Sequence, residues 1–247
     1  MFLEATVIFL AGLALGSFLS VVTYRLPRGK TFIKGRSLCP HCGAKIKWHD
    51  NIPLASFLLL KGRCRNCRKK ISKRYPLIEL GTGLGLLLIY FLSPAYPLLV
   101  AVLFLLALSV FVIDLEHKII PDEIIFFGFF LVTLFLIFRE TPDFYPRFLG
   151  GFSSALFLLL VNLVTKGKGM GVGDVKFALL PGTFLGWPTS FTWLFLSFLT
   201  GASLGVILIL LGKSRLGKQI PFGPFLAFSF IVTVFFGKVL TKWILGI

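Results

Sequence analysis

The sequence predicts an all-α, polytopic membrane protein of about eight transmembrane helices, with a small cytoplasmic zinc-binding insertion after the first. Three observations predict it. Of 247 residues, 56% are hydrophobic and only 15% charged, with a mean hydropathy of +0.91; in soluble domains charged residues alone make up about a quarter. Uncharged runs cover residues 5–24, 80–113, 148–165, 177–212 and 220–237. A helical span needs about 20 apolar residues, so the two longest runs each hold more than one pass. Finally, all four cysteines lie in two Cys-x-x-Cys pairs just beyond the first run.

The first run lacks a basic segment ahead of it, carries Glu4 there instead, and is followed by arginines. That order describes an uncleaved first span with its N-terminus outside. The second run divides at Ser93-Pro94-Ala95-Tyr96-Pro97 and the fourth near Gly186-Trp187-Pro188. The resulting passes fall at about 5–24, 76–93, 97–114, 121–138, 148–165, 174–186, 188–212 and 221–240. The sixth is short and contains Pro181, so it is expected to be kinked or only partly inserted. Three regions follow: a first helix (1–24), a basic cysteine-bearing segment (25–75) and a seven-helix membrane domain (76–247).

The net charge of +16 is concentrated rather than spread. Fifteen of the 26 Lys and Arg lie in residues 25–74, with Asp50 the single acid among them. No stacking aromatics are interleaved with these charges, so nucleic acid is not expected as a partner. A basic segment beside a span instead marks the cytoplasmic side and contacts anionic lipid headgroups. With the N-terminus outside, 22 basic residues fall inside, including Lys118, Lys166, Lys168, Lys176, Lys213, Arg215 and Lys218. Four fall outside: Arg139, Arg147, Lys238 and Lys242. In this topology the cysteines and Asp114, Asp122 and Asp174 all lie at cytoplasmic ends.

Cys39-Pro40-His41-Cys42 and Cys64-Arg65-Asn66-Cys67 each present two thiols at one turn. Two such turns complete a tetrahedral four-thiolate zinc site. With no open position for water, that zinc would be structural, giving shape to a segment with little apolar core. Two unrelated thiol pairs are the alternative.

Carboxylates near bilayer depth are costly, and the chain has only ten acids. Asp114 closes one apolar run, and Asp174 follows Gly171-Val172-Gly173 at the start of another. Two aspartates sharing a proton can hydrolyse a peptide bond without a covalent intermediate, one activating water and the other protonating the carbonyl or amine. Gly171 and Gly173 would let an extended substrate approach the backbone. Lys176 either tunes the pair or marks the cytoplasmic boundary. A glycine-rich turn with an aspartate cap would produce the same Gly-x-Gly-Asp motif, and Asp122, after Pro121, could simply begin a helix.

Taken together, the motifs resemble the bacterial prepilin peptidases, the type IV leader peptidase/N-methyltransferase family. The resemblance runs nearly end to end. It rests on Gly16-Ser17-Phe18-Leu19-Ser20 (with Ser20 where Asn is usual), the cysteine pairs enclosing Trp48 and Asn51-Ile52-Pro53, and Arg74-Tyr75-Pro76-Leu77-Ile78-Glu79. Further along come Asp114 with Ile120-Pro121-Asp122, then Gly171-Val172-Gly173-Asp174-Val175-Lys176, then Ile220-Pro221-Phe222-Gly223-Pro224-Phe225. The resemblance implies an aspartic endopeptidase of the bacterial inner membrane, removing the basic leader of type IV prepilins or type II secretion pseudopilins after a glycine. It implies Asp114 and Asp174 as the catalytic pair and Asp122 as a supporting acid. It also implies S-adenosylmethionine-dependent methylation of the new N-terminus by the cysteine-bearing segment, with Gly62 associated with that activity.

Other readings compete. A preflagellin or presenilin-like peptidase would share the Gly-x-Gly-Asp motif but not the cysteine segment. A transporter predicts carboxylates near the midplane and repeated halves. A silent zinc-bearing scaffold leaves the paired aspartates without a purpose.

Overall fold

The computed structural model describes residues 2–33, 35, 37–139, 143–212 and 220–246. Lys34 and Arg36 of the basic segment, and Lys213, Arg215 and Lys218 of the last basic loop, lie outside them. Among the described residues there are nine α-helices: α1 Phe2–Arg25, α2 Ala55–Leu59, α3 Arg74–Leu92, α4 Pro97–His117, α5 Asp122–Phe138, α6 Phe144–Val164, α7 Val172–Leu185, α8 Thr189–Leu210 and α9 Gly223–Leu245. Strand pairing among them is limited to two isolated bridges, Leu38 with Lys45 and Arg63 with Lys70.

The eight long helices coincide with the eight expected segments. Six are long and apolar enough to cross a membrane, beginning with Phe2–Arg28 and followed by α3, α4, α6, α8 and α9. The other two are shorter. α5 has 17 residues and α7 has 14, about 26 and 21 Å at 1.5 Å per residue, against about 30 Å of hydrocarbon. α7 is bounded by Gly171 before it and by Gly186, whose φ of 74° ends it. Pro181 inside it lacks the N–H that would close its turn.

By compactness the chain separates into Met1–Leu105 and Leu106–Ile247, with the boundary inside α4. In the first unit α1 and α3 run antiparallel at very short range. A Cβ on Gly12 would lie 2.7 Å from Cα of Gly83, and one on Gly16 would lie 2.7 Å from Cα of Glu79. Lipid offers no hydrophobic gain for pairing such helices, so contact depends on small residues that let backbones approach. Polar contacts extend the same register. The Tyr90 hydroxyl donates to Glu4, and the Arg74 guanidinium donates to the Ser20 carbonyl (3.1 Å) and the Thr23 hydroxyl (2.7 Å).

The second unit is organised around α7, which packs against α5, α6, α8 and α9. Phe177, Ala178, Leu180 and Thr183 are buried along it. The α6–α7 contact again uses glycines, with a Cβ on Gly150 or Gly182 falling 2.7 Å from a carbonyl oxygen of the other helix. Enclosure by neighbours removes the need for α7 to match a bilayer. α8 and α9 are joined by the indole N–H of buried Trp193, which donates to the Leu226 carbonyl at 2.9 Å.

Gly12→Leu should force α1 from α3 and destabilise the first unit by about 1–3 kcal/mol. Leu15→Ala, on an exposed face of the same helix, should change stability by less than about 0.5 kcal/mol. Denaturant titration of the purified protein in detergent measures both.

Candidate acid pair and cysteine cluster

Asp114 lies in the last turn of α4, following buried Val110, Val112 and Ile113, and is itself buried. Its Oδ2 accepts the backbone N–H of Gly223, the first residue of α9, at 2.9 Å. A Cβ at position 223 would sit 2.7 Å from that oxygen, so only glycine admits the contact.

Asp174 is the third residue of α7 and is also buried. Its Oδ2 accepts the N–H of Gly171, the residue preceding the helix, at 3.0 Å. The capping alternative weighed from sequence therefore describes a real contact, with glycine as the cap residue and the aspartate reaching back to it. The two carboxylates are close enough to feel one another's charge. Each thus has one oxygen fixed by a glycine N–H at the start of a helix, where backbone donors lack helical partners. Gly173 contributes by its size: a Cβ there would press on Ile120 at 3.3 Å.

Asp122 begins α5 and is half-exposed. Both its oxygens accept from Lys176 Nζ, at 2.9 and 2.8 Å. This ion pair joins the first turn of α5 to the fifth residue of α7, two residues beyond Asp174. Lys176, ambiguous in the sequence, is therefore a fastening between the two helix starts.

Gly223 was not singled out from sequence as a site residue. The only signal was its place in Pro221-Phe222-Gly223-Pro224, where Pro at the second position marks a helix start. Glu79 was missed as well. It is buried on α3, and its Oε2 accepts the Leu54 N–H at 2.9 Å.

The cysteine cluster belongs to the first unit. The four sulfurs of Cys39, Cys42, Cys64 and Cys67 all lie within 4.8 Å of one another, and those of Cys39 and Cys67 are 3.9 Å apart. Sulfurs placed tetrahedrally about 2.3 Å from a zinc ion would be about 3.8 Å apart. The arrangement can hold a metal ion. Two turns of the same plan build it. In the first, Cys39 N–H donates to the Ala44 carbonyl and Gly43 N–H to the Cys39 carbonyl; in the second, Cys64 pairs with Lys69, and Arg68 with Cys64, in the same way. Gly43 (φ 68°) and Arg68 (φ 54°) occupy matching left-handed positions. The Ala44 N–H holds the Cys42 thiol below its usual range. The Lys69 N–H favours the Cys67 thiolate likewise, yet burial and the three neighbouring sulfurs push it up to about 11. Four thiols this close cannot all ionise without a cation among them.

Arg65 crosses from the second turn to Asp50, donating through Nε and Nη at 2.7–3.1 Å and holding that carboxyl below the usual carboxylate range. Gly62, with φ 65°, donates to the Phe57 carbonyl and accepts from Ile71, and a Cβ there would lie 3.1 Å from the Phe57 ring. The structure thus gives Gly62 a conformational reason to be glycine, between α2 and the second cysteine turn.

A multi-pass helical membrane protein with a cysteine cluster able to hold a metal ion is the class that this fold and these residues define. Comparison with known proteins narrows it: the chain belongs to the type IV leader peptidase family. The model of the bacterial peptidase A24 N-terminal domain matches residues 10–93, and that of the type IV leader peptidase family matches residues 99–206. The chain is 35% identical to the prepilin leader peptidase/N-methyltransferase of Aeromonas hydrophila, covering 97% of this chain and 93% of that protein. It is 34% identical to the protein of that name from Pseudomonas aeruginosa, covering 94% and 90%. The Legionella pneumophila protein of the same name is 35% identical, covering 97% and 94%. No solved structure matches the chain.

Exchanging the partners of the α5–α7 ion pair tests the fastening. Asp122→Lys and Lys176→Asp should each loosen the start of α7, and the double variant should recover up to about 1 kcal/mol of coupling in a double-mutant cycle.

Proposed function

We propose that this chain is a membrane-embedded aspartic endopeptidase that removes the basic leader from type IV prepilins or type II secretion pseudopilins, and that it N-methylates the new N-terminus. The observation that carries the peptidase half is the pair of buried carboxylates, Asp114 and Asp174, each with one oxygen fixed by a glycine N–H. Fixing Oδ2 on each leaves Oδ1 for proton transfer. One aspartate, as carboxylate, takes a proton from water as the water oxygen bonds to the scissile carbonyl carbon. The other, as acid, gives its proton to the carbonyl oxygen. When the C–N bond breaks, the amine takes a proton and leaves, and the shared proton returns to the pair. No covalent intermediate with the enzyme forms. Asp122 supports the pair through Lys176, which sets where α7 begins.

The substrate class fits a site at helix ends. A basic leader followed by an apolar helix has its scissile bond at the membrane interface, and the bias of basic residues toward one side supports a cytoplasmic position for that interface, in the inner membrane that the family resemblance implies. Cleavage after a glycine is the family's pattern.

The segment 25–75 serves the second activity. Cys39, Cys42, Cys64 and Cys67 would hold a zinc ion, and with four thiolate ligands its role would be structural. S-adenosylmethionine, when bound, would supply an electrophilic methyl group for the new terminal amine. Gly62 acts here by keeping α2 and the second cysteine turn in place. Residues 76–247 form the membrane peptidase region, in which α5 and α7 complete the eight passes, and the basic segment faces anionic lipid.

Cleavage of a prepilin in membranes tests the peptidase. Asp114→Asn and Asp174→Asn should each lower the rate by at least about a hundredfold, and an unaffected rate in either would remove that residue from the pair. Gly223→Ala should also lower it, by displacing Asp114. Elemental analysis of the purified protein should find zinc in the wild type and none in Cys64→Ser.

A further inference from the structure

We propose that residues 51–59 of the cysteine-bearing segment are a re-entrant element, sunk into the cytoplasmic-side leaflet so that Leu58 and Leu59 lie among acyl chains; this deepens, and rests on, the reading above that the segment faces anionic lipid. The register of α1 against α3 sets the depth. Glu4 meets Tyr90, Gly12 faces Gly83, Gly16 faces Glu79, and Ser20 and Thr23 meet Arg74. α3 has 19 residues, about 28 Å at 1.5 Å per residue, so it needs nearly all of them to cross about 30 Å of hydrocarbon. Glu79 lies five residues in from its start at Arg74, about 8 Å below the end of the span.

The segment reaches down to that level. The N–H of Leu54, the residue before α2, donates to Glu79 Oε2 at 2.9 Å. Asn51 and Pro53 share a cavity of about 350 Å³ with Ala14, Ser17 and Phe18, which lie on either side of Gly16 in α1. Backbone at membrane depth is tolerated only where protein satisfies its polar groups, and here it does. Pro53 has no N–H. Leu54 donates to Glu79, Ser56 to the Ile52 carbonyl, Leu58 to that of Leu54 and Leu60 to that of Ser56. The Ser56 hydroxyl also donates to the Ile52 carbonyl, at 2.7 Å.

What the element turns outward fits a leaflet boundary. Leu58 is 73% exposed and Leu59 82%, while Phe57 beside them folds back on Gly62. At this depth the two leucines continue the lipid-facing surface of Phe18 on α1 and Leu77 on α3, both more than half exposed. Lys47 precedes Trp48, and Lys61 and Arg63 follow the leucines; all three are exposed. Long basic side chains reach from apolar surroundings to the phosphates of anionic headgroups. Trp48, 81% exposed, carries the amphipathic ring that is enriched at membrane interfaces. Interfacial helices bury an apolar face about 5–10 Å into the boundary of headgroups and acyl chains, which is the depth that Glu79 sets for α2. A protein partner would cover two leucines equally well, but would not require the chain to descend to Glu79 to present them.

The test uses the full chain in nanodiscs containing phosphatidylglycerol and one of two photoreactive phospholipids. The first bears a diazirine midway along an acyl chain, the second on its headgroup; labelled peptides are mapped by mass spectrometry. The acyl probe should label residues 57–60 of the wild type about as strongly as the exposed face of α8 at Val206 and Ile207. The double variant Leu58→Glu/Leu59→Glu, which places charge at that depth, should cut labelling of 57–60 by about tenfold. Its α8 label should stay unchanged, which also reports that the variant is folded. Labelling of 25–75 in the wild type by the headgroup probe alone would overturn the re-entrant placement and leave the lipid-facing reading standing. No label on 25–75 from either probe would overturn that reading as well. Acyl labelling of 57–60 undiminished in the double variant would also overturn the placement. So would a bifunctional crosslinker that joins the 57–60 peptides of two copies where lipid label is missing.

Discussion

A backbone N–H at the start of a helix has no helical partner, and a buried carboxylate needs donors; this molecule joins the two needs twice. Gly223 donates to Asp114 and Gly171 to Asp174, each at a distance that a side chain on the glycine would strain or forbid. The first bond holds the C-terminus of α4 against the N-terminus of α9, and the second is local to the start of α7. Packing of α7 against α5, α6, α8 and α9 and the Asp122–Lys176 ion pair hold the start of α7 in place. The chemistry proposed for the pair depends on fixed oxygens, and fixed oxygens depend on these helix ends keeping their places.

The rest of the architecture draws its cohesion from two different sources. Helix pairs such as α1–α3 and α6–α7 close over glycines, because in lipid only close van der Waals contact favours association. The cysteine segment lacks a sizeable core. Its order comes from two turns with the same hydrogen-bond plan, which bring four sulfurs close enough together to hold a metal ion. The left-handed Arg68 stands where the first turn has Gly43. Apart from Asn and Asp, few side chains are found in that conformation, so a basic group is retained there at some conformational cost.

Much of this was legible in the sequence, and the residues explain where legibility ended. Apolar runs broken at Pro94 and Pro97, and near Pro188, place the helices within a few residues, because hydrophobic length is nearly all that a bilayer requires. The cysteine spacing likewise announces the cluster. The shortness of α7 was legible as well, from the break near Gly186-Trp187-Pro188, whereas its packing against four neighbours was not, since an enclosed helix is as apolar as one facing lipid. Gly223 escaped because a glycine's use as a donor depends on what lies 109 residues earlier. Glu79 escaped for a related reason: a carboxylate near the start of a span reads as a boundary residue until its burial and its bond to Leu54 are seen. Lys176 could be read two ways because charge alone does not name its partner.

Arg74, at the base of α3, grips Ser20 and Thr23 near the end of α1. The chain therefore leaves the helix pair and returns to it at nearly the same point, and everything between hangs as a closed excursion. Such an excursion can be lengthened, shortened or exchanged for a plain turn with little effect on the helices that carry it, since closure entropy changes only slowly with loop length. In evolutionary language the cysteine-bearing segment is a module. The helix pair can gain or lose it as a unit.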